Sequence, residues 1–545
     1  MRLSIGFSLT LNQTSTLSGC GKSTQVPQYI LDNSLNKGQV PVIVCTQPRR
    51  ISAIGVAERV AQERDEKIGN LIGYQIRLES KTSSLTRLLF CTTGILLRRL
   101  ESDPELSDVT HVIIDEVHER SEESDFLLMI IRDLLPRRPE LKIILMSATL
   151  NATAFANYFG RKVPVIDIPG RTFPVKQYFL EEILENITFS VDEHSTYAKK
   201  RQKEDNKAQK KINKMGKDIF IDDFEAELLV SDTHFKPAKD ALEDENLNVK
   251  QIYHRYSDYS EHVTKTLSVM DFEKINYDLI EAMLEHILES GDFPTEGSIL
   301  VFLPGMQEIM TLHDQIAKHP SISKCRLLPL HSSLTSEEQA LIFSKTSKRK
   351  IVISTNLAET SITIDDCVFV LEVGRMKEKR FDPTKNMESL DTIWVSKANA
   401  LQRKGRAGRV MSGFCFHLYT NFRFEHHFRK YPVPEIQRVP LEQMLLRIKI
   451  MPLFQNKAKV KDVLKRLIEP PQVENVDNAR ERLRGVGALD QDETLTPLGY
   501  HLASLPVDVR IGKLLILGSV FKCLDSALTI AACLSYRSPF VAPFG

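Results

Sequence analysis

Hydrophobic residues fall in two kinds of run along this chain, and the two kinds alternate. Val42–Cys45, Val112–Ile114 and Ile143–Met146 are apolar at nearly every position, as in strands buried on both faces. Between them, Ile51–Glu66 and Phe126–Leu135 repeat apolar positions at helical spacing. Strands that alternate with helices predict a parallel sheet covered on both faces. The pattern returns with Ile299–Phe302, Lys350–Ser354 and Val368–Leu371. Two tandem α/β domains are therefore expected, over 1–180 and 266–430.

Residues 181–265 break the pattern. Tyr197–Lys217 is dense in Lys and Gln, while Asp218–Asp232 and Ala241–Asn248 are acidic and poor in core formers. That composition predicts a charged, mobile insertion. Val269–Leu288 regains helical periodicity and is expected to dock on the second domain. Beyond 430, Leu441–Leu453 and Val460–Leu467 read as amphipathic helices. The turn residues Gly485, Gly487 and Leu495-Thr496-Pro497-Leu498-Gly499 predict a small winged-helix unit over 431–505. A helical segment from Asp508 to Tyr536 then begins a bundle over 506–545, which the end of the chain is expected to cut short.

A length of 545 residues accommodates three or four domains. With 72 Lys and Arg against 71 Asp and Glu, a nucleic-acid surface would have to be a local basic stripe. The eight cysteines are scattered singly, with no CxxC pair, so reduced thiols of a cytoplasmic or nuclear protein are expected, cytoplasmic favoured, and no zinc site. No apolar run approaches the ~20 residues of a bilayer span. The start at Met1-Arg2-Leu3 is too interrupted by Ser and Thr for a signal peptide.

Against this frame the chemistry is concentrated in a few motifs. Gly19-Cys20-Gly21-Lys22-Ser23-Thr24 has the residues of a phosphate loop. Its glycines let backbone N–H groups turn toward phosphate oxygens at a helix start; Lys22 would reach the β and γ phosphates and Ser23 would ligate Mg²⁺. The first glycine of the usual G-x-x-x-x-G-K-[ST] pattern is replaced by Thr16. Asp115-Glu116-Val117-His118 follows a buried strand, where open parallel sheets bind ligands. Asp115 would hold Mg²⁺, and Glu116, beside the metal, would orient and deprotonate water. Ser147-Ala148-Thr149 follows the next strand as a hydroxyl relay.

In the second domain Gln402-Arg403-Lys404-Gly405-Arg406-Ala407-Gly408-Arg409 supplies planar donors for a γ phosphate. Arg406 and Arg409 are expected to project from one helical face as fingers, with Gln402 positioning the water. Three further segments sit just past predicted strands and carry groups suited to phosphates and sugars: Arg49 and Arg50; Thr92, Thr93 and Gly94; Thr355, Asn356 and Thr360. Few aromatics interleave, so sequence-tolerant binding of single-stranded nucleic acid is expected, with no evident stacking platform.

Taken in order, Gly19–Thr24, Thr46–Arg50, Thr92–Gly94, Asp115–His118, Ser147–Thr149, Ile299–Gly305, Ser354–Asp365 and Gln402–Arg409 resemble the motif series of the DEAH-box helicases of superfamily two. The resemblance covers nearly the whole chain apart from the insertion and the first dozen residues. It implies two RecA-like domains with ATP and Mg²⁺ in the cleft between them, then a winged helix and a ratchet-like helical bundle. It also implies an ATP-driven RNA helicase moving 3′ to 5′, with Met376–Ser396 as a strand-separating β-hairpin. Arg59 and Phe343 would sandwich the adenine, Asp365 would contact nucleotide, and His118 would couple the acidic motif to Gln402. Thr16 and the absence of an OB-fold depart from the family, which suggests a chain truncated at both ends. They leave a non-catalytic RNA- or ribosome-binding scaffold as the alternative.

Overall fold

The computed structural model describes residues 11–15, 21–148, 152–160, 163–168, 173–199, 242–334, 338, 341–344, 346–360, 364, 366–382, 385–454 and 459–535. They fall into two compact units, Met1–Thr172 with Lys377–Ile393 and Pro432–Gly545, and Phe173–Met376 with Trp394–Tyr431.

The first unit is built on an eight-stranded sheet. Its spatial order is Glu79–Lys81, Ile72–Ile76, Leu88–Thr92, Ile43–Gln47, His111–Ile114, Lys142–Ser147, Leu11–Ser15 and Val165–Asp167. Every pairing is parallel except that of Ile72–Ile76 with Glu79–Lys81. The expected strands are all present, and the strand Leu11–Ser15, paired on both sides, is added from a segment that carries no periodic signal. One face packs Leu31, Ala53, Ala57 and Val60 against Ile43, Phe90 and Ile113. The other packs Leu127 and Ile131 in one continuous core with Leu445, Ile448, Leu464 and Leu483 of the C-terminal helices. Each such side chain removed from water contributes roughly 1.5–3 kcal/mol, so this helical region is welded to the first sheet.

The second unit has a six-stranded, wholly parallel sheet. Its order is Arg326–Leu330, Lys350–Ser354, Ser298–Phe302, Cys367–Glu372, Gly413–His417 and Val175–Tyr178. Arg375–Asp382 and Met387–Trp394 form a separate two-stranded hairpin.

Several expectations need correction. The insertion over 181–265 is not a detached excursion at its two ends. Leu180, Ile183, Leu184, Ile252, Val263 and Leu267 are buried in the core of the second unit. The outgoing and returning limbs meet at an antiparallel bridge between Ala198 and Met270. There the fully buried Asp244 accepts from Arg255 at 2.8 Å, from the Tyr256 hydroxyl at 2.9 Å and from the Thr420 hydroxyl at 2.7 Å. Residues 200–241 lie outside the described residues. Val269–Leu288 is not one helix: Glu261–Val269 ends at that bridge, and Asn276 caps a new helix, Tyr277–Glu289, by accepting from the Leu279 amide at 3.0 Å. The segment from Asp508 is two helices, Val509–Val520 and Leu524–Ser535, broken where Lys522 takes a left-handed φ of 59°. In the winged-helix region the helices Val473–Val486 and Pro497–Ser504 flank an isolated bridge, Leu489 to Leu495.

Candidate nucleotide site

Two neighbouring strands and one helix start build the site in the first unit. Ile43–Gln47 and His111–Ile114 run in parallel register, Thr46 opposite Ile114, so Gln47 and Asp115 leave the sheet side by side. Gln47 Nε2 donates to Asp115 Oδ2 at 2.8 Å. The following residue, Glu116, has a left-handed φ of 53°, costly for a side-chain-bearing residue and typical of strained functional turns. The turn lets the Glu116 amide donate to Asp115 Oδ1 at 2.8 Å and brings Glu116 Oε1 to 3.5 Å from Lys22 Nζ.

Lys22 opens the helix Lys22–Asn36, whose first amide groups have no partner within the helix. Gly21 precedes it with a φ of 76°, a conformation that suits glycine. Lys22 is only 7% exposed and Asp115 only 3%. Burial, and next the charge of Glu116, raise the Asp115 carboxyl above its ordinary range, against Lys22 and hydrogen bonds from Ser23 and Gln47. A buried Asp beside a serine hydroxyl is a hard oxygen donor set of the kind Mg²⁺ takes. Glu116 Oε2 is buried and makes no well-formed hydrogen bond, its nearest polar neighbour being His118 Nε2 at 3.3 Å, so it keeps acceptor capacity for substrate or water.

His118 is buried, and desolvation, reinforced by Lys22, lowers its pKa to about 3. Its Nδ1 accepts the Ala148 amide at 3.2 Å, so the neutral ring carries its proton on Nε2, 3.3 Å from Glu116 Oε2. The expected coupling to Gln402 links residues of separate units; within its own unit His118 ties the acidic motif to Ser147-Ala148. The folded pKa lies below the ordinary 6.5, so the neutral ring adds stability above that pH, and the contribution is lost as pH falls toward about 3. In an NMR titration of labelled histidine, His118 should show no ionisation between about pH 5 and 8.

The other expected contacts are placed as follows. Arg59 is 62% exposed and pairs with Glu63 at 2.7 Å. Glu63 in turn accepts from Gln25 at 2.7 Å and Gln28 at 2.9 Å, tying Arg59 to the helix that Lys22 opens. Arg49 lies 3.8 Å from Glu119 of the acidic motif. Arg50 is exposed and lines a cavity of about 1190 Å³ with Arg77, Leu78, Phe381 and Arg510. Thr92 stands at the N-cap of Thr93–Ser102, with Thr93 buried. A Cβ on Gly94 would come within 2.9 Å of Glu123 Oε1, so glycine permits that approach. Gly19, Cys20, Thr16, Thr149 and Asp365 lie outside the described residues, as do the side chains of Phe343 and Thr360.

In the second unit Thr355 is buried and Asn356 half-buried after the strand Lys350–Ser354. The expectation that Arg406 and Arg409 share a helical face is corrected. The helix Lys397–Lys404 ends first, at a turn containing Gly405 and Gly408. Gly408 is required there because a Cβ would approach Phe173 O to 2.6 Å. Glu359, which sequence reading passed over, organises this turn. Its carboxylate accepts from Arg403 Nε at 2.9 Å and from Asn399, while its carbonyl accepts from Arg406. Gln47 stands in the Thr46–Arg50 motif with no role of its own legible in the sequence; the parallel register of the two strands sets it beside Asp115. Cys415 and His417, two apart on one strand and so on one face, meet Glu372 with donor atoms within 4.8 Å of one another. Hydrogen bonds account for that group: the Tyr419 hydroxyl lies 2.8 Å from His417 Nδ1 and donates to Glu372 at 3.1 Å.

Two parallel-sheet α/β units, the first with a glycine-lysine-serine helix start beside a buried Asp-Glu pair, followed by a helical C-terminal region, define the architecture of a helicase core. Family models agree with that reading in chain order. A DEAD/DEAH box helicase model matches residues 13–156, and a helicase conserved C-terminal domain matches 278–411. The winged-helix and ratchet-like parts of the helicase associated domain match 479–507 and 508–545. The chain is 54% identical to DHX57 of Homo sapiens over 97% of its own length and 39% of that protein. It is 44% identical to the DExH-box ATP-dependent RNA helicase DExH1 of Arabidopsis thaliana, over 98% of this chain and 51% of that one. Identity to the ATP-dependent DNA/RNA helicase DHX36 of Bos taurus is 46%, over 97% and 50%. The chain belongs to the DEAH-box helicases, and it spans between about two fifths and half of the length of these relatives. Among the described residues no helix is long and apolar enough to cross a membrane.

Proposed function

We propose that this chain is the motor of an RNA-dependent ATPase that moves 3′ to 5′ and separates RNA strands. The observation that carries the reading is the convergence of Lys22, Asp115 and Glu116 at the carboxyl ends of two central strands of the first sheet, with Gln47 holding Asp115. In this reading Lys22 neutralises the β and γ phosphates, and Gly19, Cys20, Gly21 and Thr24 contribute to the cradle. Ser23 and Asp115 would hold Mg²⁺, which supplies charge neutralisation between the phosphates when bound. Glu116 orients the attacking water and takes its proton, while the neutral His118 supports Glu116 from Nε2. Gln402, Arg406 and Arg409 come from the second unit and stabilise charge on the transferred phosphoryl group as the cleft closes. Arg59 and Phe343 flank the base, and Asp365 contacts the nucleotide.

RNA would pass the cavity lined by Arg50, Arg77 and Arg510, exposed cations suited to sequence-tolerant phosphate contacts. Arg49, Thr92, Thr93, Gly94, Thr355, Asn356 and Thr360 would extend that track. The names of two relatives, an ATP-dependent RNA helicase and an ATP-dependent DNA/RNA helicase, support nucleic acid as the track. The test is ATP hydrolysis by the purified 545-residue chain with and without poly(U), and with single-stranded DNA. Hydrolysis should rise several-fold with poly(U), and a 3′-tailed RNA duplex should be unwound. Hydrolysis indifferent to poly(U) would defeat the proposal and favour a binding scaffold.

A further inference from the structure

Trp394 is the only tryptophan of the chain and stands where the hairpin returns to the second unit. Arg375, where the hairpin departs, lies over its ring at 3.5 Å from the centroid, and Arg423 lies over it at 4.4 Å. Both guanidinium groups are largely buried, and an unpaired buried cation is costly. Each is answered by a carboxylate, one from the returning limb of the insertion and one from the segment just after it. Glu245 pairs with Arg423, and Glu273 lies 3.1 Å from Arg375, which also donates to the Phe272 carbonyl at 3.1 Å. The hairpin root is itself tight: Gly374 has a φ of 72°, and a Cβ there would come within 3.2 Å of Trp394. The insertion and the segment that follows it therefore reach the hairpin root through two acid–arginine pairs that share one indole.

We propose that Glu245 and Glu273 are positioning residues for strand separation. Through Arg423 and Arg375 they clamp Trp394 and fix the direction in which the two hairpin strands leave the second unit. The role rests on the reading that this hairpin splits the duplex. A clamp of this kind contributes little to nucleotide chemistry, because neither acid belongs to the site built around Asp115 and Glu116. Its loss would leave the hairpin attached but poorly aimed, and small misplacements of a working group are expensive.

The experiment compares the full chain with Glu245→Gln, Glu273→Gln and the double variant, with Glu245→Asp as the charge-conserving control. Three readouts are taken on each: poly(U)-stimulated ATP hydrolysis, unwinding of a 3′-tailed RNA duplex, and Trp394 emission with acrylamide quenching. The double variant should lose unwinding by about tenfold or more. Its poly(U)-stimulated hydrolysis should stay close to wild type, and Trp394 should become more quenchable. Glu245→Asp should retain most unwinding. Full unwinding despite an altered Trp394 signal would overturn the proposal, as would a parallel loss of hydrolysis and unwinding. A wild-type chain that hydrolyses ATP with poly(U) yet never unwinds would instead remove the strand-separation reading, and the clamp's role with it.

Discussion

Glu116→Gln should reduce the turnover number for ATP by about 10²–10⁴-fold, the range a positioned general base supplies. The amide keeps the length and much of the hydrogen-bonding capacity of the carboxylate but cannot take a proton from water. Nucleotide affinity should change far less, because Lys22 and the helix start it opens are untouched. A second signature follows from the electrostatics. The charge of Glu116 helps to raise the neighbouring Asp115 carboxyl, next in size after burial. Removing it lets Asp115 ionise at lower pH, so any acid limb that Asp115 imposes on residual activity should move down. Steady-state hydrolysis across pH, with equilibrium binding of a fluorescent nucleotide in the same buffers, separates the two effects. An unchanged turnover number would show that the water is activated elsewhere.

What sequence could show depended on whether a signal was local. Strands such as Val112–Ile114 and Lys350–Ser354 are apolar because both faces of each sheet are covered, so they announce themselves. The Asp-Glu pair is legible because it follows such a strand directly. Gln47 is different: its role comes from the strand beside it, and register between strands is not written in either one. Glu359 was missed for the same reason, since its partners Asn399, Arg403 and Arg406 lie some forty residues on. Arg406 and Arg409 were given helical spacing because periodicity does not show where Gly405 and Gly408 end a helix. Charge density misled over 181–265. Asp244 and Glu245 read as solvated acids, yet both satisfy buried hydroxyl or guanidinium partners, the usual condition for burying such groups.

The largest stability loss is expected from Glu359→Ala. The Arg403 side chain is 1% exposed and that of Glu359 4%, with 2.9 Å between them. Truncating the acid strands a guanidinium in the core of the second unit, a change that costs about 3–5 kcal/mol when one partner of a buried pair is removed. The Phe302 ring beneath Arg403, 4.9 Å from its guanidinium carbon, offsets only a small part of that cost. Trp394 reports on the transition, because the chain's only tryptophan belongs to the same unit. The urea midpoint followed by its emission should fall sharply in Glu359→Ala. Replacing both partners, Glu359→Ala with Arg403→Met, should recover much of the loss, since the guanidinium is no longer stranded and the volume is refilled. If the double variant is as unstable as the sum of the two single ones, the pair is not acting as a unit. Activity should not recover with stability. Arg403 leads directly into the turn that carries Arg406, whose guanidinium is held by the Glu359 carbonyl, and a neutral pair no longer fixes the helix end from which that turn departs.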